Sequence, residues 1–322
     1  SSTQQAPDQN TIEVLEMARL LIWVAEFAAT NEATDLIVNT SYSLSARDLK
    51  TEFNLVAEMR DINDHRRGFH FSQLSESINA IRKLLNSPDW LSGHELHEIS
   101  AMFHLSSDVC SFLDEEEANF PSIHFLCDTL DSLSEEQELL KAKIAEDGEL
   151  RDTASPELGR LRKSLLSAER RLRKELDKVE SDWRKKGVLG DTGLSWRDGR
   201  PVLPVNSGAR GRVTGLVVDQ SQSGQTLFIE PIASLEIRGN INKCRIDLHQ
   251  EEVRILKMIS ERLRNKSKAI ADNQEILINI DRICAKALWS REANARRPLI
   301  SDNMQLIIKN GRHPLLERNT KV

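Results

Sequence analysis

The chain has 322 residues and a formal charge of −6; 39% of its residues are hydrophobic, 29% are charged and only 5% are aromatic. So few aromatics suit long helices better than a β-sandwich or barrel, and the length allows two or three structural units. No run of about 18 apolar residues marks a membrane span, the polar opening SSTQQAPDQN has no apolar signal segment, and Cys110, Cys127, Cys244 and Cys284 have neither metal-site nor disulfide-framework spacing. A cytoplasmic location is expected.

The overall charge hides a split. Residues 1–150 hold 10 Lys and Arg against 28 Asp and Glu, a net of −18, whereas residues 151–322 hold 34 against 22, a net of +12. Such a split fits one half that avoids polyanions and one that meets them, and equally fits two ordinarily solvated sets of helix faces.

Residues 1–10 read as a disordered leader. From Thr11, the segment TIEVLEMARLLIWVAEFAAT places Ile12, Leu15, Ala18, Leu21 and Ile22 at helical spacing. SARDLKTEFNLVAEMRDI follows, with Ser45 and Asp48 as a capping pair. QLSESINAIRKLL and SGHELHEISAMFHLSSDVCSFL are the next helical patterns, with breaks near Gly68 and Ser87–Pro88. The acidic tract at 114–122 reads as a solvated loop, because adjacent like charges repel and Pro121 interrupts a helix.

Ser155 is an expected N-cap, with Pro156 at the first helical position. Beyond it, Leu158, Leu161, Leu165, Ala168, Leu172, Leu176, Val179 and Trp183 form one narrow apolar seam on a charged rod. Such a seam needs a partner. The return segment after Pro231 supplies one, with Ile241, Cys244, Leu248, Ile255, Ile259 and Leu263 at steps of three, four or seven and weak points at Gly239 and Asn240. Between them lies the clearest β signal. Asp198–Gly199 marks a hairpin turn, and GRVTGLVVDQ and QTLFIEP alternate as strands around a Ser221–Gly224 loop. Near the end, MQLIIKNGRHPLLE reads as a strand, a turn at Asn310–Gly311 and the start of a second strand. The expected fold is mainly α: a helical core with a long antiparallel helical lever pair carrying a small β-rich clamp tip.

Catalytic signatures are missing from this pattern. No G-x-x-x-x-G-K-[ST] occurs, and Gly208, Gly211 and Gly215 do not fit G-x-G-x-x-G. Those glycines read as turn, bulge or packing residues. His94, His97 and His104 lack the spacing of a zinc helix, and Asp219, Glu230 and the acids at 146–149 lack the density of a calcium loop. Basic clustering is stronger. Residues 158–186 hold 11 Lys and Arg against 5 Asp and Glu. Arg184, Lys185, Lys186, Arg197, Arg200, Arg210 and Arg212 all fall at or near the expected tip, where they are candidate contacts to a nucleic-acid backbone. A solvated rod with internal ion pairs is the alternative reading of the same charges.

The stretch DGRPVLPVNSGARGRVTGLVVDQSQSGQTLFIEP, the long charged helix after it, ALWSREANARRPLI, NGRHPLLE and the entry EDGELRDTASPELGRLRK resemble the second bacterial branch of the MutS family, which bears an Smr domain and is not a mismatch-repair factor. The resemblance implies an acidic helical core over 11–150, an ascending lever over 151–190, a clamp tip over 191–231, a descending lever over 232–265, returning core helices over 266–300 and the start of an ATPase domain over 301–322. It implies a homodimer closing around branched or double-stranded DNA to suppress homologous recombination, or an arm that binds ribosomes which the enzyme splits when stalled or collided. ATP and magnesium, and the nuclease activity associated with the Smr domain, would belong to the full-length protein. These 322 residues contain no Walker motif, so no cofactor or catalytic residue is expected within them. The family pattern often has Tyr and Lys where this chain has Pro201 and Asn206, so one cation of the pattern is missing.

Overall fold

The computed structural model describes residues 9–40, 45–65, 68–116, 118–190, 192–300 and 305–320. It is mainly helical with one small antiparallel sheet. Its contacts divide into two compact units, residues 1–149 with 258–322, and residues 150–257.

The first unit holds helices α1 (Gln9–Val14), α2 (Met17–Ala25), α3 (Asn31–Val38), α4 (Ala46–His65), α5 (Ser72–Asn86), α6 (Gly93–Glu116), α7 (Pro121–Leu126) and α8 (Ser134–Lys143). Residues 1–8 of the expected leader lie outside the described residues, and Gln9 and Asn10 already belong to α1. The single helix read from Thr11 is two helices. Glu16 sits in the left-handed region at φ 50 and pairs its carboxylate with Arg19, which resets the helical phase. The inward face is therefore Trp23, Val24 and Ala25, while Leu15 and Ile22 are exposed. Ser45 caps α4 by accepting from the Arg47 and Asp48 amides at 3.1 and 3.2 Å.

The acidic tract is not a loop throughout. Helix α6 continues through Asp114, Glu115 and Glu116, whose charges face water, and Pro121 opens α7 rather than interrupting a helix. Proline is suited to a first helical position because no intrahelical bond is asked of its nitrogen there.

Helix α9 (Pro156–Lys185) is the charged rod. Ser155 caps it, accepting from the Leu158 amide at 2.9 Å. Strands β1 (Ser195–Arg197), β2 (Arg200–Asn206), β3 (Gly215–Gln220) and β4 (Thr226–Pro231) follow, and then α10 (Ile232–Arg264), whose last turns belong to the first unit. Gly239 and Asn240 do not interrupt α10.

Within the second unit α9 and α10 run antiparallel. Ser155 meets Glu251 at 2.6 Å, Arg162 meets Glu252 at 3.2 Å and Glu169 meets Arg245 at 2.9 Å, so contacts advance along one helix as they retreat along the other. Leu172 and Leu176 bury against Ile237 and Ile241. Each such side chain removed from water contributes about 1.5–3 kcal/mol, and this apolar seam accounts for the partnership of two otherwise charged helices.

The sheet order is β1-β2-β4-β3, antiparallel throughout, with a register shift between Val217 and Asp219. The strand read from Gly211 begins only at Gly215, since residues Ser207–Arg212 form a 3-10 turn. The sheet's core is Leu203, Val205 and Ile229, closed by Trp183 of α9 and by Val188, Ala209 and Val213.

Helix α11 (Ser267–Glu292) crosses the first unit's core, burying Ile270, Leu277, Ile280 and Ile283. Its Asp281 accepts the Ala29 and Thr30 amides at 3.1 and 2.9 Å and the Thr30 hydroxyl at 2.8 Å, which fixes the start of α3. Of the strand pair read at 304–317, Met304 lies outside the described residues and no strand forms in the remainder. Residues 305–308 have no strand partner among the described residues, and α12 (Pro314–Thr320) occupies the second position with proline at its start. The turn at Asn310 is present, with φ 54.

Candidate nucleic-acid interface

The candidate interface comprises the C-terminal end of α9 and the turns of the sheet. Helix α9 ends in a Schellman motif: the Gly187 amide donates to the Arg184 carbonyl at 3.0 Å and the Val188 amide to the Trp183 carbonyl at 3.3 Å. Gly187 adopts φ 65, which favours glycine at this position. The motif buries Trp183 in the sheet core and leaves Arg184, Lys185 and Lys186 in solvent. Cations in a last turn are also favoured by the helix dipole, independently of any ligand.

The seven candidate cations divide by how they are engaged. Lys185 and Lys186 are exposed and make no ion pair among the described residues. Arg184 pairs with Glu180 at 2.8 Å, one helical turn away. Arg212 donates to the Lys186 carbonyl at 2.8 Å, which brings the 3-10 turn beside the lysines. Arg210 is half-buried and donates to the carbonyls of Val213 and Gly215 at 3.0 and 2.8 Å. It acts as a strut for the turn into β3. Arg197 pairs with Asp219 at 2.8 Å and lies 3.8 Å over the Phe228 ring. Arg200, opposite Arg197 across the hairpin, is 4.0 Å from Glu230. The geometry thus gathers 184–186 with Arg212, and separately pairs Arg197 with Arg200.

Glu230 was not legible as a structural residue. It is fully buried, 3.2 Å from Arg238 on α10, and it draws Arg200 toward the sheet. Asp219 and Glu230, weighed from sequence as metal ligands, are each faced by arginine. Among the described residues no group of three His, Cys, Asp or Glu is arranged to hold a metal. His104 shares a hydrogen bond with Gln137 at 2.5 Å, and His97 is exposed.

The glycines differ in what they do. A Cβ on Gly215 would lie 2.4 Å from Ile229 Cγ2 and 2.5 Å from the Glu230 carbonyl, so β3 approaches β4 too closely for a side chain there. Gly208 and Gly211 have open space around them, and packing does not require glycine at either. Burial pushes the Cys127 thiol up to about 12 and raises Cys110 and Cys284 as well, which makes these three poor nucleophiles.

No family model matches the chain. Endonuclease MutS2 of Bacillus mycoides (strain KBAB4) is 29% identical over 318 residues, covering 96% of this chain and 40% of that protein. Endonuclease MutS2 of Streptococcus thermophilus (strain CNRZ 1066) is 31% identical over 307 residues, covering 95% of this chain and 39% of that protein. Endonuclease MutS2 of Streptococcus pyogenes serotype M5 (strain Manfredo) is 32% identical over 306 residues, with the same coverage of 95% and 39%. The chain therefore spans about 40% of the length of the relatives it matches. Among the described residues no helix is long and apolar enough to cross a membrane.

Proposed function

We propose, for a chain that is MutS2-like along nearly its whole length, that the end of α9 and the adjoining turns grip the phosphate backbone of branched DNA. The observation that supports this is the exposed Arg184–Lys186 cluster, with two lysines unpaired among the described residues and Arg212 held beside them. Point charges on a rigid helix end suit sequence-independent contact with phosphates. Base readout is not required of them.

The grip belongs to this chain, and the suppression of recombination to a full-length homodimer. By the family resemblance ATP and magnesium would be held in another part of that protein, since these residues contain no G-x-x-x-x-G-K-[ST]. The same phosphate chemistry also suits ribosomal RNA, the target of a ribosome-splitting enzyme.

A competition assay separates the two targets. With the 322-residue chain labelled and bound to four-way junction DNA, unlabelled junction is expected to displace it at lower concentration than ribosomes do. Displacement by ribosomes at the lower concentration would transfer the proposal to the ribosome. Replacing Arg210 is not a clean test, because its loss frees two carbonyls and loosens β3.

A further inference from the structure

A cleft of about 610 Å³ opens between α9, α10 and the β1–β2 hairpin, on the side of β1 away from the Arg197–Phe228 stack. Successive strand residues face opposite ways, so with Arg197 committed to Phe228, its neighbour Trp196 turns toward the cleft and lines it. Trp196 is 59% exposed. The floor is the apolar Leu172, Leu176 and Ile241 side of the helix pair.

Polar groups stand on the rim. Asp198 sits at the hairpin turn and Asn242 on α10, while Arg173 on α9 is exposed and makes no ion pair among the described residues. The other two arginines of the cleft are occupied, Arg245 by Glu169 and Arg238 by buried Glu230. An aromatic face, an apolar floor, a carboxylate with an amide, and one uncommitted guanidinium match the parts of a nucleotide. The ring stacks, the base edge hydrogen-bonds and the phosphate takes the cation. A base held in a duplex cannot present its face this way, whereas an unpaired one can.

We propose that this cleft takes one unpaired nucleotide, with its base stacked on Trp196 and its phosphate on Arg173. The proposal rests on the nucleic-acid reading above and adds a preference that the backbone grip alone would not give. Strand junctions and gaps supply such nucleotides; intact duplex does not.

The test compares the 322-residue chain binding a fully paired DNA duplex and the same duplex with a short single-stranded gap. The gapped form is expected to bind about 5- to 150-fold tighter, the range of one base–aromatic stack. Trp196→Ala is expected to abolish that preference while leaving duplex affinity unchanged, and Trp196→Phe to retain most of it. Because Trp196 is exposed, neither variant threatens the fold. The same pair of substrates built from RNA shows which strand chemistry supplies the nucleotide; a gap preference in at least one is expected. Equal affinity for paired and gapped forms of both would overturn the cleft and leave the backbone grip standing. A preference that survives Trp196→Ala would also overturn it. Failure to bind paired and gapped forms alike would overturn the grip and the cleft together.

Discussion

Alanine at Trp183 is expected to destabilise the second unit by about 3–5 kcal/mol. Trp183 is 5% exposed and joins α9 to the sheet core through Val188, Leu203, Val205 and Ile229. Its removal takes a large apolar surface from the place where helix and sheet meet. Hydrogen exchange is the suitable readout because the chain contains two compact units. Amide protection across residues 183–231 should fall, while the first half of α9, paired with α10 through Arg162–Glu252 and the Leu172 cluster, stays protected. Unchanged protection in the sheet would show that Trp183 does not hold it.

Glu52 carries the second large effect, in the first unit. Its carboxylate on α4 meets Arg282 at 2.5 Å and Lys286 at 2.6 Å on α11. Burial alone would raise its pKa, but hydrogen bonds and charge from Arg282 and Lys286 outweigh burial and bring it down to about 2. Burial draws Lys286 down despite the favourable charge of Glu52. A carboxylate lowered on folding stabilises the fold above its ordinary value and loses that contribution as pH falls toward its folded value. The first unit should therefore lose roughly 3 kcal/mol between about pH 4.5 and pH 2 through this one group. Glu52→Gln leaves two largely buried cations without their anion, a cost of about 3–5 kcal/mol at neutral pH, and removes this part of the acid-dependent loss. Denaturation monitored against pH measures both. A variant as stable as the parent at pH 7, with the same acid limb, would contradict the assignment.

Much of the architecture was legible because local rules and the apolar pattern agreed. Ser155 and Pro156 are a cap and a first-turn residue by their own chemistry, and the Leu158–Trp183 seam forced a partner helix. Asp198–Gly199 specified the hairpin. Where the reading failed, a nearby interaction overrode the pattern. The helix break at Glu16 has no strong sequence signal, and it turned Leu15 and Ile22 outward. LII at 306–308 has strand propensity, but a strand is defined by its neighbour, and none is paired with it among the described residues.

The candidate interface was legible in outline and not in roles. All seven cations do fall at the helix end and the sheet's turns, yet a sequence cannot say which ones are already committed. An arginine that struts two carbonyls, as Arg210 does, looks the same as one awaiting phosphate. The Glu230–Arg238 pair joins a strand to the following helix, so neither residue's spacing announces it. The cleft beside Trp196 depends on which way one strand residue faces, and that was decided by Arg197 stacking on Phe228.

The backbone grip is tested most directly by the salt dependence of junction binding, measured for the parent chain and for Lys185→Ala with Lys186→Ala. Both lysines are exposed, so the fold is expected to survive the change. The slope of log affinity against log salt should become shallower by about two, one for each lost phosphate contact. Affinity at low salt should fall with it. The same slope and affinity in the double variant would contradict the grip.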